Sequence, residues 1–281
     1  MKKIIFSGIT LITIFLVSCS NEEKTSENEI QITDSLSTQP EEEDKIYSLP
    51  SAEHVAVMFK RSNLKYISGI TTKIENKETG GELENTLRLG IYSADLFYNL
   101  LNNQWAESEK YFLVCKNYAD KIGFNEVFTE ETLNRLKTNI QNTDSIIKIL
   151  STIQYNLDNK VQYENKNHLI PVAFAGAWIE SMYIAVQVSK KENANPQVNN
   201  MITENIAIGN TLLKLLNKEL KTDSKINDII EIIDGLMKEF NAMQSVQQNI
   251  ENEEGEISLT KDELDKLFQA IESSHQKLLT L

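Results

Sequence analysis

The sequence predicts an all-α fold, a multi-helix bundle or two packed helical sub-bundles following a disordered acidic tether, and three observations lead there. From Ser51 onward apolar residues recur at helical spacing, and no run alternates as a strand would. The four prolines, Pro40, Pro50, Pro171 and Pro196, leave long uninterrupted segments between them. Residues suited to starting and stopping helices stand at the edges of those segments.

The spacing predicts helices over 51–62, 82–103, 105–122, 130–141, 144–165, 169–190, 197–219, 223–248 and 260–279. Ser51 after Pro50 can accept from the first unpaired amides of its helix, and Thr260-Lys261-Asp262-Glu263 fits a capping box with Glu263 reaching back. Gly123 follows Lys121-Ile122, where a residue without Cβ permits a left-handed cap. Asn195-Pro196 marks a loop before the next helix. Two short echoes, Gly90-Ile91-Tyr92 with Gly176-Ala177-Trp178 and Thr143-Asp144-Ser145 with Thr222-Asp223-Ser224, suggest duplication, but their spacings disagree. The folded part is therefore read as one helical domain over 51–281.

The first residues, Met1-Lys2-Lys3, are basic, and an apolar run from Ile4 to Val17 follows, which is the layout of a secretory signal over 1–18. The run closes Leu16-Val17-Ser18-Cys19, which resembles the lipobox of bacterial lipoproteins. That resemblance implies cleavage before Cys19, diacylglycerol on its thiol and a membrane anchor of several acyl chains, each buried methylene contributing about 0.8 kcal/mol. Ser20 after the cysteine resembles lipoproteins sent to the outer membrane, and Glu22-Glu23 resembles surface-export signals of Bacteroidetes lipoproteins. The tether over 19–50 is acidic and poor in large apolar residues, so it is expected to be disordered. About thirty such residues reach on the order of 30 Å.

The whole chain carries 28 Lys+Arg against 41 Asp+Glu; loss of Lys2 and Lys3 with the signal leaves 26 against 41, a formal charge of −15. Such a field repels nucleic acid, so no nucleic-acid partner is expected. With Cys19 lipidated, only Cys115 remains, which excludes an intramolecular disulfide. Its setting, Tyr111-Phe112-Leu113-Val114-Cys115, favours a buried inert thiol, though a cysteine–histidine partnership is compatible with the spacing.

Among candidate site residues, Glu180 stands out within Ala173-Phe174-Ala175-Gly176-Ala177-Trp178-Ile179-Glu180-Ser181-Met182-Tyr183. Ala173, Gly176, Ala177 and Ile184 surround it on the helix, a small-residue strip that lets another helix approach closely. A carboxylate there needs a partner, either as a buried ion pair or hydrogen-bonded acid, or as a ligand contact or base. A pocket is expected between helices 82–103 and 169–190, with Glu180, Trp178 and Tyr92 as possible ligand-binding residues. Asp95 falls with Glu84, Arg88, Asn99 and Asn102 in one narrow sector, read as a solvated or interhelical polar seam with Glu84 and Arg88 as an (i, i+4) pair. The aromatic residues of helices 82–103, 105–122 and 169–190 are read as core, with a ligand groove as the alternative.

Glu272-Ser273-Ser274-His275 is the lone Glu-x-x-His element, where a di-iron bundle needs two, so His275 is read on an exposed helix face. His54 and His168 belong to no zinc spacing, and no phosphate loop, dinucleotide fingerprint or nucleophile elbow occurs. No metal or other cofactor is expected, and no catalytic residue is assigned.

The segments around Gly90-Ile91-Tyr92-Ser93-Ala94-Asp95-Leu96 and Ala173 to Tyr183 resemble uncharacterised helical lipoproteins of Bacteroidetes, which carry no activity to transfer. The Gly-x-His-x-x-Glu signature of imelysin-like lipoproteins is absent. The expected function is a non-enzymatic cell-envelope binding or scaffold module, anchored through Cys19 and facing an envelope protein partner. The alternative is a ligand- or metal-binding helical lipoprotein with its site near Glu180.

Overall fold

The computed structural model describes residues 58–62, 64–75, 80–192, 195–219, 225–252 and 257–281. The expected signal over 1–18, Cys19, the expected tether over 19–50, Ser51, His54 and the echo at 222–224 lie outside the described residues. Among the described residues helix is the regular secondary structure and there is no sheet, so the all-α multi-helix bundle holds. After a helical turn at 58–61 come α1 (Glu82–Leu101), α2 (Trp105–Lys121), α3 (Glu130–Thr138), α4 (Thr143–Tyr163) and α5 (Leu169–Lys191). Then follow α6 (Pro196–Ile206), α7 (Ile208–Glu219), α8 (Ile226–Asn241), α9 (Gln244–Asn252) and α10 (Lys261–Thr280).

α5 is the axle of the bundle, touched by α1, α4, α6, α7, α8 and α10. It is long and apolar enough to cross a membrane, yet 72% of its most apolar stretch is buried inside the protein. Enclosure by neighbours accounts for a helix that is apolar on nearly every side. α1 crosses α5 with backbones touching: a Cβ on Gly90 would meet the Ala173 carbonyl oxygen at 1.9 Å, and one on Gly176 would meet the Leu87 carbonyl oxygen at 2.3 Å. The two glycines of the echo thus face each other's helices.

Two predicted helices are each split, and both breaks have a chemical cause. The segment 197–219 divides at Ala207 because the Trp178 indole N–H donates to the Asn205 carbonyl at 3.3 Å. In a continuous helix that carbonyl would accept from the Gly209 amide. The segment from 223 divides after Asn241, where Glu263 of α10 accepts from the Ser245 amide at 2.9 Å and its hydroxyl at 2.6 Å, capping α9.

Glu263 also accepts from the Thr260 amide at 2.9 Å, completing the expected capping box. Burial pulls its carboxyl upward, but the bonds from Ser245 and Thr260 outweigh it and hold the group at about 2. A depressed acid stabilises the fold above its unfolded value and ceases to as pH falls through the folded one. Glu263→Ala is therefore expected to cost about 1–2 kcal/mol at neutral pH in urea denaturation. The difference from wild type should shrink as pH falls from about 4.5 toward 2; a pH-independent difference would refute the assignment.

The expected cap at Gly123 (φ +90°) is present, and at the expected boundary Asn195-Pro196 the Asn195 side chain accepts from the Gln197 amide, an N-cap not among the sequence-based expectations. The irregular strap 64–75, which helical periodicity did not mark, runs against α1 and α2. Its backbone polar groups are taken up by tyrosine hydroxyls, as buried irregular chain requires. Tyr98 donates to the Lys65 carbonyl at 2.9 Å and accepts from the Ile67 amide at 2.6 Å. Tyr92 donates to the Lys73 carbonyl and accepts from the Glu75 amide, and Tyr111 donates to the Thr72 carbonyl at 2.8 Å. Burial, partly offset by the Ile67 amide, pushes the Tyr98 hydroxyl up to about 12, so it stays a donor.

Candidate functional site

The strap delivers Thr72 to a polar cluster contributed by four separate stretches of chain. Glu180 on α5 accepts from the Thr72 hydroxyl at 3.0 Å and from Nε2 of His275 on α10 at 2.6 Å, through the same Oε2. Nε2 also lies 3.1 Å from the Thr72 hydroxyl, and the imidazole stacks face to face on Tyr183 with ring centres 3.8 Å apart. Asp95 on α1 accepts from the Thr72 amide at 3.3 Å. Glu180 and Asp95 are 0% exposed and His275 is 2% exposed.

Burial pushes the Asp95 carboxyl well above the usual range, the adjacent Glu180 charge and a hydrogen bond with Glu180 push it further, and the Thr72 amide offsets only part of this. Two buried carboxyls side by side cannot both ionise. Asp95 Oδ2 and Glu180 Oε1 are both buried without a hydrogen-bond partner, and a proton held on Asp95 and shared with Glu180 would satisfy both. Glu180 is thus the hydrogen-bonded buried acid the sequence allowed. The reading of His275 is corrected. His275 is not on an exposed face, because α10 turns that side inward onto Glu180 and Tyr183. Of the two readings of the Asp95 seam the interhelical one holds, since the strap and α5 close over it.

Among the described residues no group of three or more His, Cys, Asp or Glu side chains is arranged to hold a metal ion. Nε2 of His275 and Oε2 of Glu180 lie closer together than two donors each about 2 Å from one tetrahedral ion can. Nor does the cluster offer a surface to a substrate, since its acids and histidine are sealed from solvent. Its chemical role is to bind strap, α1, α5 and α10 to one another. Cys115 is equally closed: it lies 3.7 Å from the Ser93 hydroxyl, and burial pushes its thiol up to about 12, which leaves it un-ionised and unreactive.

On another side of α1 and α5 lies a partly open cavity of about 590 Å³, completed by α4 and α7. In the N-terminal half of α5, Ile170, Ala173, Phe174 and Ala177 are partly exposed between buried neighbours, and all four line this cavity. They form an i, i+3, i+4, i+7 stripe that borders the cavity beside the crossing with α1 at Gly90. From α1, Ser93 and Phe97 are half-exposed into the same space. Leu157 of α4 with Ile208 and Leu215 of α7 supply apolar walls. The size falls within the roughly 300–1,000 Å³ typical of small-molecule sites.

The three expected ligand residues are not brought together. Trp178 lines the cavity. Glu180, two residues on and roughly 200° around the helix, turns into the polar cluster instead. Tyr92 holds the strap and stacks on Tyr118 with ring centres 5.6 Å apart. Periodicity missed the cavity because its floor looks like ordinary core; the small residues Ala173 and Ala177 signalled instead the close approach of α1 at Gly90.

No family model, curated protein or solved structure matches the chain.

Proposed function

We propose that the chain is a cell-envelope lipoprotein, lipidated on Cys19 and carried by its acidic tether, whose helical domain is a non-enzymatic binding module. The apolar cavity is its binding site. The observation that carries this reading is the half-exposed stripe Ile170, Ala173, Phe174 and Ala177, which leaves apolar surface facing an open space of ligand size. The lipobox-like Leu16-Val17-Ser18-Cys19 supports the anchor, and Ser20 supports an outer-membrane address.

A scaffold that docks an envelope protein is the second reading, favoured by Tyr155 and Tyr163, which are 65% and 84% exposed on α4. The test has two arms. Wild type should take up a metabolic acyl label that Cys19→Ser does not; equal labelling sinks the anchor. The secreted Cys19→Ser chain, purified without detergent, should carry a small apolar molecule in native mass spectrometry, and Ala177→Phe should lose it. A reproducible protein partner with no small molecule in either chain favours the scaffold instead.

A further inference from the structure

We infer that the cavity is a slot for one unbranched hydrocarbon chain of about 12–14 carbons, the tail of a single-chain lipid lying along the helix axes; this rests on the cavity being the binding site. The register of the helices carries the inference. Glu82 lies 3.9 Å from His168, Gly90 lies against Ala173 and Ala177, and Asp95 lies against Glu180, so α1 and α5 run in the same direction side by side. α4 turns back into α5 within residues 164–168 and runs antiparallel to it. On each of the three helices the cavity wall continues in steps of three or four residues: from Thr86 to Phe97 on α1, from Leu150 to Gln162 on α4 and from Ile170 to Met182 on α5.

At about 1.5 Å per residue each stripe is about 16–18 Å long. A rounded pocket would touch one or two turns of each helix, whereas a wall that follows three helices for three turns encloses a length. Spread over that length, about 590 Å³ gives a slot about 7 Å across. Extended chains pack ~4.7 Å apart, so one fits and two side by side do not. An extended hydrocarbon advances a little less than one carbon–carbon bond of ~1.5 Å per carbon, which sets the chain that fills the slot at about 12–14 carbons. Leu89, Phe97, Leu157, Phe174, Ile208 and Leu215 make the walls apolar, so each methylene gains by leaving water.

The test uses the Cys19→Ser chain. Trp178 lines the cavity, so its fluorescence in a Trp105→Phe background reports filling, and calorimetry counts the bound chains. The probes are uncharged: octyl to hexadecyl maltosides below their micelle concentrations, and decanol against adamantanol, a chain and a cage with the same number of carbons. Affinity should rise about fourfold per methylene up to the dodecyl or tetradecyl member and level off at hexadecyl, with one chain bound per protein. Decanol should bind about tenfold or more tighter than adamantanol. Ala177→Phe sets a ring about 10 Å from Ile170, part-way along the slot. Octyl maltoside should then keep its affinity within about threefold, while the gain from octyl to dodecyl disappears. An equal loss for every member of the series would mean a rounded pocket and overturn the slot. Adamantanol binding as tightly as decanol, affinity independent of chain length, or two chains per protein would each overturn the inference and leave the cavity as a binding site. Binding of no probe overturns both. The contrast between decanol and adamantanol needs no substitution at Ala177, so it decides the shape even if Ala177→Phe does not fold.

Discussion

Gly176→Ala is expected to destabilise the protein by about 3 kcal/mol or more, because the added methyl meets backbone rather than a side chain that can move. Its Cβ would lie 2.3 Å from the Leu87 carbonyl oxygen and 3.1 Å from the Ile91 amide, so α1 and α5 would have to separate. Gly90→Ala carries the same expectation against the Ala173 carbonyl. Gly235 in α8 supplies the control, since a Cβ there meets nothing within 4 Å. Alanine at that helical position should stabilise by about 0.5–1 kcal/mol through the chain entropy it removes from the unfolded state. Urea denaturation of the three variants decides the matter. Equal, small effects at Gly176 and Gly235 would mean that α1 and α5 do not cross in contact.

The polar cluster gives the second large effect. Removing Glu180 as Glu180→Ala leaves His275 and the Thr72 hydroxyl buried without their acceptor, and Asp95 without the group that shares its proton. Loss of one member of a buried pair costs about 3–5 kcal/mol. Asp95→Asn should behave in the opposite way, because an amide can donate to Glu180 and still accept from the Thr72 amide. The sign of the pH dependence follows from the raised carboxyl. A group raised in the folded state helps folding fully below its unfolded value near 3.8, and that help declines as pH rises toward the folded value. Wild type should therefore lose stability relative to Asp95→Asn as pH rises from about 4, by up to about 1.4 kcal/mol per pH unit. Denaturation curves that stay parallel across that range would show that Asp95 is not the protonated partner.

Both effects bear on the proposed function, because α1 and α5 form the floor of the cavity on one side and carry the polar cluster on the other. Their close crossing at Gly90 and Gly176 sets the relative positions of Ser93, Phe97, Ala173 and Ala177. Rigid elements holding an apolar wall in register are what a preformed binding site requires.

The helical class, the caps at Thr260 and Gly123, the helix boundary at Asn195-Pro196, and the need of Glu180 for a partner were all legible in the linear chain. Each depends on neighbours within a turn or two: periodicity, a side chain reaching its own helix terminus, or an acid set among apolar residues. The lipobox-like Leu16-Val17-Ser18-Cys19 is read in the same local way. The partner itself was decided elsewhere. His275 lies 95 residues from Glu180, and Thr72 lies 108 residues from it, so no local spacing could pair them. An isolated Glu-x-x-His on an amphipathic helix reads as surface until another helix is known to cover it. The breaks at Ala207 and after Asn241 likewise arise from Trp178 and Glu263, side chains of other helices that capture backbone groups. The cavity is the furthest from local reading, because an apolar stripe that meets a neighbour and one that meets empty space have the same composition, and only the packing of α4 and α7 against α1 and α5 distinguishes them.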